Sequence, residues 1–266
     1  MTTTPPNRVA VVTGASSGIG EATARLLASK GWLCVLVARR EELLRAIADE
    51  IGGEVEICDV ADRQAVEAMA ARALERHPAV HLLVNNAGIP ARGSFLTIDA
   101  ERIEQVMDVN YLGGVWCTRA FLPGLEAARV AAGTADVVNL VSVAGTVAFA
   151  PAGPYAAAKH AQLAFARSCG AALRRRGIRS HAVLPGFLET ESFPQHEVLK
   201  SRLLQRFMTD TDAVAKAILK SVESNRAELT VPWFPYRLIT ILQVLFPSLV
   251  ARLAGRMTYH RGEQQV

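Results

Sequence analysis

The sequence predicts an α/β fold, a doubly wound parallel sheet in three layers followed by an apolar helical C-terminal extension. Three observations carry that expectation. Short apolar, β-branched runs alternate with helical stretches through most of the 266 residues. These runs are continuous rather than polar–apolar alternating, as strands are when both faces of a sheet are covered. No hairpin signal separates consecutive runs, so the connections read as helical crossovers between parallel strands.

Arg8 to Thr13 is the first strand candidate, and it runs straight into Thr13-Gly14-Ala15-Ser16-Ser17-Gly18-Ile19-Gly20. Helical periodicity follows through Ala22, Leu26 and Leu27. A strand, a glycine-rich turn and a helix N-terminus together form a phosphate cradle. Glycines let the backbone approach a pyrophosphate, and the N–H groups of the helix end face the anion. The sheet is therefore expected to be Rossmann-type, although the spacing G-x-x-x-G-x-G differs from G-x-G-x-x-G. Leu33 to Ala38 is a second strand, ended by Arg39 and Arg40 where such folds meet the adenosine ribose. An acidic side chain there suits a free 2′-hydroxyl and arginine suits a 2′-phosphate, so the sequence favours NADPH/NADP over NAD.

A helix from Glu41 leads to Gly52-Gly53, and Val55 to Cys58 makes a third strand ending at Asp59-Val60. A further helix spans about Arg63 to Arg76, and a fourth strand, Leu82 to Val84, runs into Asn85-Asn86-Ala87-Gly88. Gly14, Arg39, Asp59 and Asn86 thus lie at the carboxyl ends of strands, where parallel sheets bind ligands. A long helical stretch from about Ala100 to Ala128 carries Asn110, and Val137 to Val141 is a fifth strand with Ser142 at its end.

Tyr155-Ala156-Ala157-Ala158-Lys159 follows on a helix reaching about Arg175; i,i+4 spacing puts the tyrosine and the lysine on one face. A phenol ionises near ~10, and a fixed ammonium beside it favours phenolate, each unit of lowering being worth about 1.36 kcal/mol. Such a pair can exchange a proton with a substrate oxygen, as carbonyl–alcohol chemistry requires. Ala182 to Leu184 is a sixth strand ending in Pro185-Gly186, and Leu229 to Val231 a last one after a helix at Asp212. The segment 187–209 carries Phe187, Leu188, Phe193, Leu199, Leu203, Leu204 and Phe207, which either line an apolar substrate pocket or pack the segment onto the body. The whole chain, 1–266, reads as one domain: a core over 8–231 and an extension over 232–266.

Composition narrows the class further. The net charge of +4 is mild and the basic residues are dispersed apart from Arg174-Arg175-Arg176, so no nucleic-acid surface is expected. The cysteines Cys34, Cys58, Cys117 and Cys169 show no CxxC spacing, and the histidines and carboxylates form no metal-ligand pattern. With a polar, proline-containing N-terminus, the chain reads as cytoplasmic. In the extension, Leu238 to Ala251 is uncharged and interrupted by Pro247, with Arg237 and Arg252 at its ends. That run is too short to span a bilayer; it fits either a peripheral membrane contact or packing against the body or a neighbouring subunit.

In order along the chain, Thr13-Gly14-x-x-x-Gly18-x-Gly20, Asn85-Asn86-Ala87-Gly88, Asn110, Ser142, Tyr155-x-x-x-Lys159 and Pro185-Gly186 with Thr190 resemble the motifs of the short-chain dehydrogenase/reductase family, in its shorter, single-domain branch. The resemblance covers about Arg8 to Val231. It implies a nicotinamide-dependent oxidoreductase acting on a small-molecule carbonyl or alcohol, and a homodimer or homotetramer packed through the helices bearing Asn110 and Tyr155. By the same resemblance Tyr155 is the proton relay, Lys159 lowers its pKa and binds the nicotinamide ribose, Ser142 orients the substrate oxygen, and Asn110 holds a water that links Lys159 to solvent. Cofactor contacts are expected from Gly14, Ser16, Ser17, Gly18, Ile19, Gly20, Arg39, Arg40, Asp59, Val60, Asn86, Ala87, Gly88, Pro185, Gly186 and Thr190, with Asp59 at the adenine edge and Asn86 in the adenine–ribose region. An NAD-dependent alcohol dehydrogenase and a cofactor-binding regulator without turnover are the alternatives; the presence of Asn110, Ser142, Tyr155 and Lys159 speaks against the latter.

Overall fold

The computed structural model of the chain describes residues 8–91, 93, 95–148, 152–189 and 208–258. Among these, β1 (Arg8–Thr13), β2 (Trp32–Ala38), β3 (Glu54–Ile57), β4 (Leu82–Asn85), β5 (Ala135–Leu140), β6 (Ile178–Pro185) and β7 (Glu228–Val231) form one seven-stranded sheet. Its order is β3-β2-β1-β4-β5-β6-β7 and every pairing is parallel. The order reverses between β1 and β4, which opens a crevice at their carboxyl ends.

The helices among the described residues are α1 (Gly18–Ser29), α2 (Glu41–Ile51), α3 (Arg63–Arg76), α4 (Ala100–Met107), α5 (Gly113–Ala120), α6 (Leu122–Ala132), α7 (Gly153–Arg174), α8 (Thr211–Glu223), α9 (Tyr236–Leu245) and α10 (Pro247–Thr258). Because successive strand side chains point to opposite faces, each strand feeds two cores. Val11, Val35, Leu83 and Val137 pack with Val66 and Met69 of α3, Cys117 of α5 and Leu125 of α6. Val12, Leu36, Val84 and Val138 pack with Ala24 and Leu27 of α1, Leu44 and Ile47 of α2, and Val214 and Ile218 of α8. This is the doubly wound, three-layered arrangement that the continuous apolar runs predict.

The expected long helix over 100–128 is divided. A π-turn at Asp108–Leu112 joins α4 to α5, and α5 ends before Leu122. Pro123 lies in the first turn of α6, and without an N–H it cannot continue the ladder of α5. Phe121, fully buried at this junction, packs into the core beneath α3. Its replacement by alanine is expected to cost about 3–5 kcal/mol of stability, seen as a lower urea midpoint at unchanged slope. A loss below about 1 kcal/mol would contradict its place as the wedge of this layer.

Candidate active site

The cradle after β1 is held by direct backbone contact. Gly14 and Gly18 have φ of +66° and +61°, and a Cβ at Gly20 would lie 2.2 Å from the Gly14 carbonyl oxygen. Only glycine lets the first turn of α1 sit that close to the strand end. Ser17, at the N-cap of α1, makes no side-chain bond to the helix amides. Its Oγ instead accepts from Arg40 Nη2 at 2.5 Å, while Ser16 Oγ accepts from Arg40 Nε at 3.2 Å. The first-turn N–H groups of α1 therefore carry no cap from Ser17, and a cation stands over the same turn. Ile19, half-buried, packs against the core and steadies the turn from below. A dinucleotide pyrophosphate fits this donor set.

Arg39 and Arg40 diverge. Arg39 Nη1 lies 3.2 Å from Asp59 Oδ2 in an exposed pair, and Asp59 Oδ1 accepts from Ala61 N at 3.0 Å. Val60 beside it is buried and contacts Gly113. Asn86 ties the turn to β4: its Nδ2 donates to Thr13 O at 2.8 Å and to Gly14 O at 3.2 Å. Thr13 Oγ1 accepts from Asn86 N and Ala87 N, both at 3.0 Å. The Asn86 side chain thus braces the cradle.

The Ser142, Tyr155 and Lys159 side chains meet where the loop after β5 touches α7. A Cβ at Gly145 would lie 2.7 Å from the Lys159 carbonyl oxygen, so loop and helix are in backbone contact. Ser142 Oγ caps the short 3-10 turn at Val143–Gly145 by accepting from Ala144 N at 3.1 Å, and it hydrogen-bonds the Tyr155 hydroxyl. Burial pushes the Tyr155 phenol up to about 12, against a smaller downward pull from Ser142. Burial also presses Lys159 down to about 7. The Lys159 ammonium lies 5.7 Å from the centre of the Tyr155 ring and donates to Leu140 O at 2.9 Å and to Gln162 Oε1 at 2.8 Å. Ser142 thus pulls the phenol's pKa down through its hydrogen bond, against the larger effect of burial.

Asn110, fully buried in the π-turn, faces the same cluster. Its Oδ1 accepts from Ile89 N at 2.7 Å and its Nδ2 donates to Ile89 O at 2.9 Å. A Cβ at Gly88, next to Ile89, would lie 3.1 Å from Asn110 Oδ1 and 3.8 Å from Lys159 Nζ. At the end of the neighbouring strand, Pro185 closes β6, and Gly186 N donates to Val231 O at 2.8 Å. Phe187 N donates to Tyr236 Oη at 3.1 Å. Thr190, Phe193, Leu199, Leu203, Leu204 and Phe207 lie outside the described residues.

Two site residues escape a motif reading. Gln162, 2 % exposed, sits three residues after Lys159 on the same helical face, a spacing visible in the sequence. Tyr236 reaches the site from 49 residues beyond Phe187, which no local pattern announces.

Comparison with known proteins agrees with this geometry. The family model for short chain dehydrogenase matches residues 8–197. A putative ketoacyl reductase of Streptomyces coelicolor is 38 % identical over 192 residues, covering 70 % of this chain and 73 % of that protein. Among solved structures, an actinorhodin polyketide ketoreductase variant with NADPH superposes with a TM-score of 0.75 at 29 % identity, covering 86 % of this chain and 97 % of the other. A short chain dehydrogenase/reductase from Burkholderia phymatum in complex with NAD gives 0.80 at 28 % identity, covering 91 % and 95 %. With a parallel doubly wound sheet, a glycine cradle and a serine–tyrosine–lysine cluster at its carboxyl edge, the chain belongs to the short-chain dehydrogenase family.

Proposed function

We propose that this chain is an NADP(H)-dependent oxidoreductase that interconverts a carbonyl and a secondary alcohol on a lipophilic small molecule, with Tyr155 as the proton relay. The observation that carries the proposal is the Ser142–Tyr155 hydrogen bond beside the buried Lys159 ammonium. When bound, the nicotinamide supplies or accepts the hydride. The protein handles the proton: a phenol with its pKa pushed up to about 12 is protonated at neutral pH and can give its proton to the alkoxide oxygen that forms as hydride reaches the substrate carbon. Ser142 would hold that oxygen and stabilise its charge. The Asn110 side chain is spent on Ile89, so a water linking Lys159 to solvent would be held by the main chain of the π-turn. An apolar substrate is supported by the exposed Phe95, which packs on Gly153 two residues before Tyr155, and by Phe187 beside Gly186.

One solved neighbour was determined with NADPH and another with NAD, so the cofactor form turns on this chain's own arginines. Arg40 over Ser16 and Ser17, with Arg39 next to it, makes a cationic rim suited to a 2′-phosphate. The pairing of Arg39 with Asp59 favours the second reading, an NAD-dependent alcohol dehydrogenase. Titrating both cofactors separates the two, and a panel of carbonyls and alcohols assayed with each cofactor tests the activity itself.

Three outcomes are expected. Tyr155→Phe should lower kcat by roughly 10²–10⁴-fold while NADPH affinity is kept; a variant retaining more than about a tenth of kcat would remove Tyr155 from the relay. Arg39→Ala and Arg40→Ala should each weaken NADPH roughly tenfold or more and leave NADH little changed, and equal affinity of the unsubstituted protein for both cofactors would refute the 2′-phosphate reading. Gln162→Met removes an acceptor that favours the Lys159 ammonium, so the Lys159 pKa should fall further below about 7. If catalysis uses the charged lysine, the alkaline limb of the kcat/KM profile then moves to lower pH by about one unit, the worth of one charge-assisted bond. A pH profile that does not move would show that Gln162 only fills space.

A further inference from the structure

We propose that the C-terminal extension is a docking surface for an anionic lipid bilayer, and that it seats the substrate end of the site at the headgroup level. The inner face of α9 is fixed to the site. Tyr236, 5 % exposed, lays its ring on Gly186, takes a hydrogen bond from Phe187 N and meets the Phe187 ring edge-on at 6.0 Å. One turn on, Thr240 Oγ1 lies 3.0 Å from Thr146 Oγ1, just past the turn that Ser142 caps. Whatever covers the outer face of α9 therefore lies beside the substrate end.

That outer face is apolar and open. Leu238, Ile241, Leu242 and Leu245 recur at helical spacing and are 38–61 % exposed, and Trp233 and Phe234 stand exposed just before them. A helix normally turns such a stripe to the core, and a contiguous exposed patch marks an interaction surface. Charge selects the occupant. Between Glu228 and Glu263 the sequence holds no acidic residue but includes Arg237, which pairs with Glu228 at 3.7 Å, and Arg252, Arg256 and Arg261, which leave the extension net positive. A second copy meeting this face about a twofold axis would bring two net positive extensions together, which repels. An anionic lipid surface attracts it, and aromatic side chains with flanking arginines suit the interface. Among the described residues no helix is long and apolar enough to cross a membrane, so the contact is peripheral.

The test is flotation of the full chain with vesicles of phosphatidylglycerol and phosphatidylcholine, or of phosphatidylcholine alone. The chain should float with the anionic vesicles, less with the neutral ones, and less in about 1 M salt, where the Debye length falls to about 3 Å. The double variant Ile241→Glu, Leu245→Glu changes exposed positions only. It should keep its melting temperature and lose roughly tenfold or more of its partitioning. Trp233→Ser, a milder change, should lose part of it. A chain that stays in the aqueous fraction with both vesicle types, or a double variant that floats as well as the parent, overturns the proposal. A double variant that instead drops in oligomeric mass assigns the face to a second copy and also overturns it. The seating of the substrate end rests on the proposed reductase reading, but flotation does not: turnover of a water-soluble ketone with NADPH tests that reading separately, and the double variant should leave it unchanged.

Discussion

The constraint on which the site depends is the burial of Lys159. Its ammonium is 3 % exposed and is met by two uncharged acceptors, the Leu140 carbonyl and the Gln162 amide oxygen. A buried cation is costly, and here the cost shows as a pKa pressed down to about 7. Such a position persists only where surrounding packing enforces it. The enforcement is the contact at Gly145, where the loop after β5 meets the backbone of α7 and so fixes Ser142 against Tyr155. The π-turn holding Asn110 closes the other side by clamping Ile89. The cluster is thus assembled from four separate chain segments, each locked by main-chain contacts rather than by side-chain fit alone.

Much of this was legible in the sequence because it is local. The apolar runs gave the strands, since strand burial on both faces leaves a continuous signature within a few residues. The helix at Arg63–Arg76 has the bounds that the sequence predicts, with Asp62 capping the Gln64 and Ala65 amides. The glycine turn and the Tyr155–Lys159 spacing announce their elements directly. What stayed hidden depends on partners distant along the chain. Nothing near Arg39 shows that Asp59 will engage it while Arg40 turns toward Ser16 and Ser17, because that choice is set by how β2, β3 and the cradle line up. The bond from Asn86 Nδ2 to the Thr13 carbonyl, across 73 residues, is likewise not written in the residues around Asn86. The break before α6 was visible as Pro123, yet an apolar periodicity running through it masked the division.

The two halves of the site differ in how they are built. The dinucleotide half rests on β1, β2 and β4 near the sheet centre, where parallel pairing and two covering layers hold the strand ends in place. The other half is assembled late in the chain from Gly186, Phe187 and α9, and it borders the exposed apolar face.

The central claim, hydride transfer to a carbonyl carbon with a protein-held proton for its oxygen, is tested most directly by isotope tracing. NADPH deuterated at the transferring C4 position is incubated with the enzyme and the best ketone of the panel, and the alcohol is analysed by mass spectrometry and NMR. The expected result is one deuteron on the carbinol carbon for each NADPH oxidised, with solvent protons found on the oxygen alone. Oxidation of NADPH with the label lost to water, or no carbonyl that acquires the label, would contradict it.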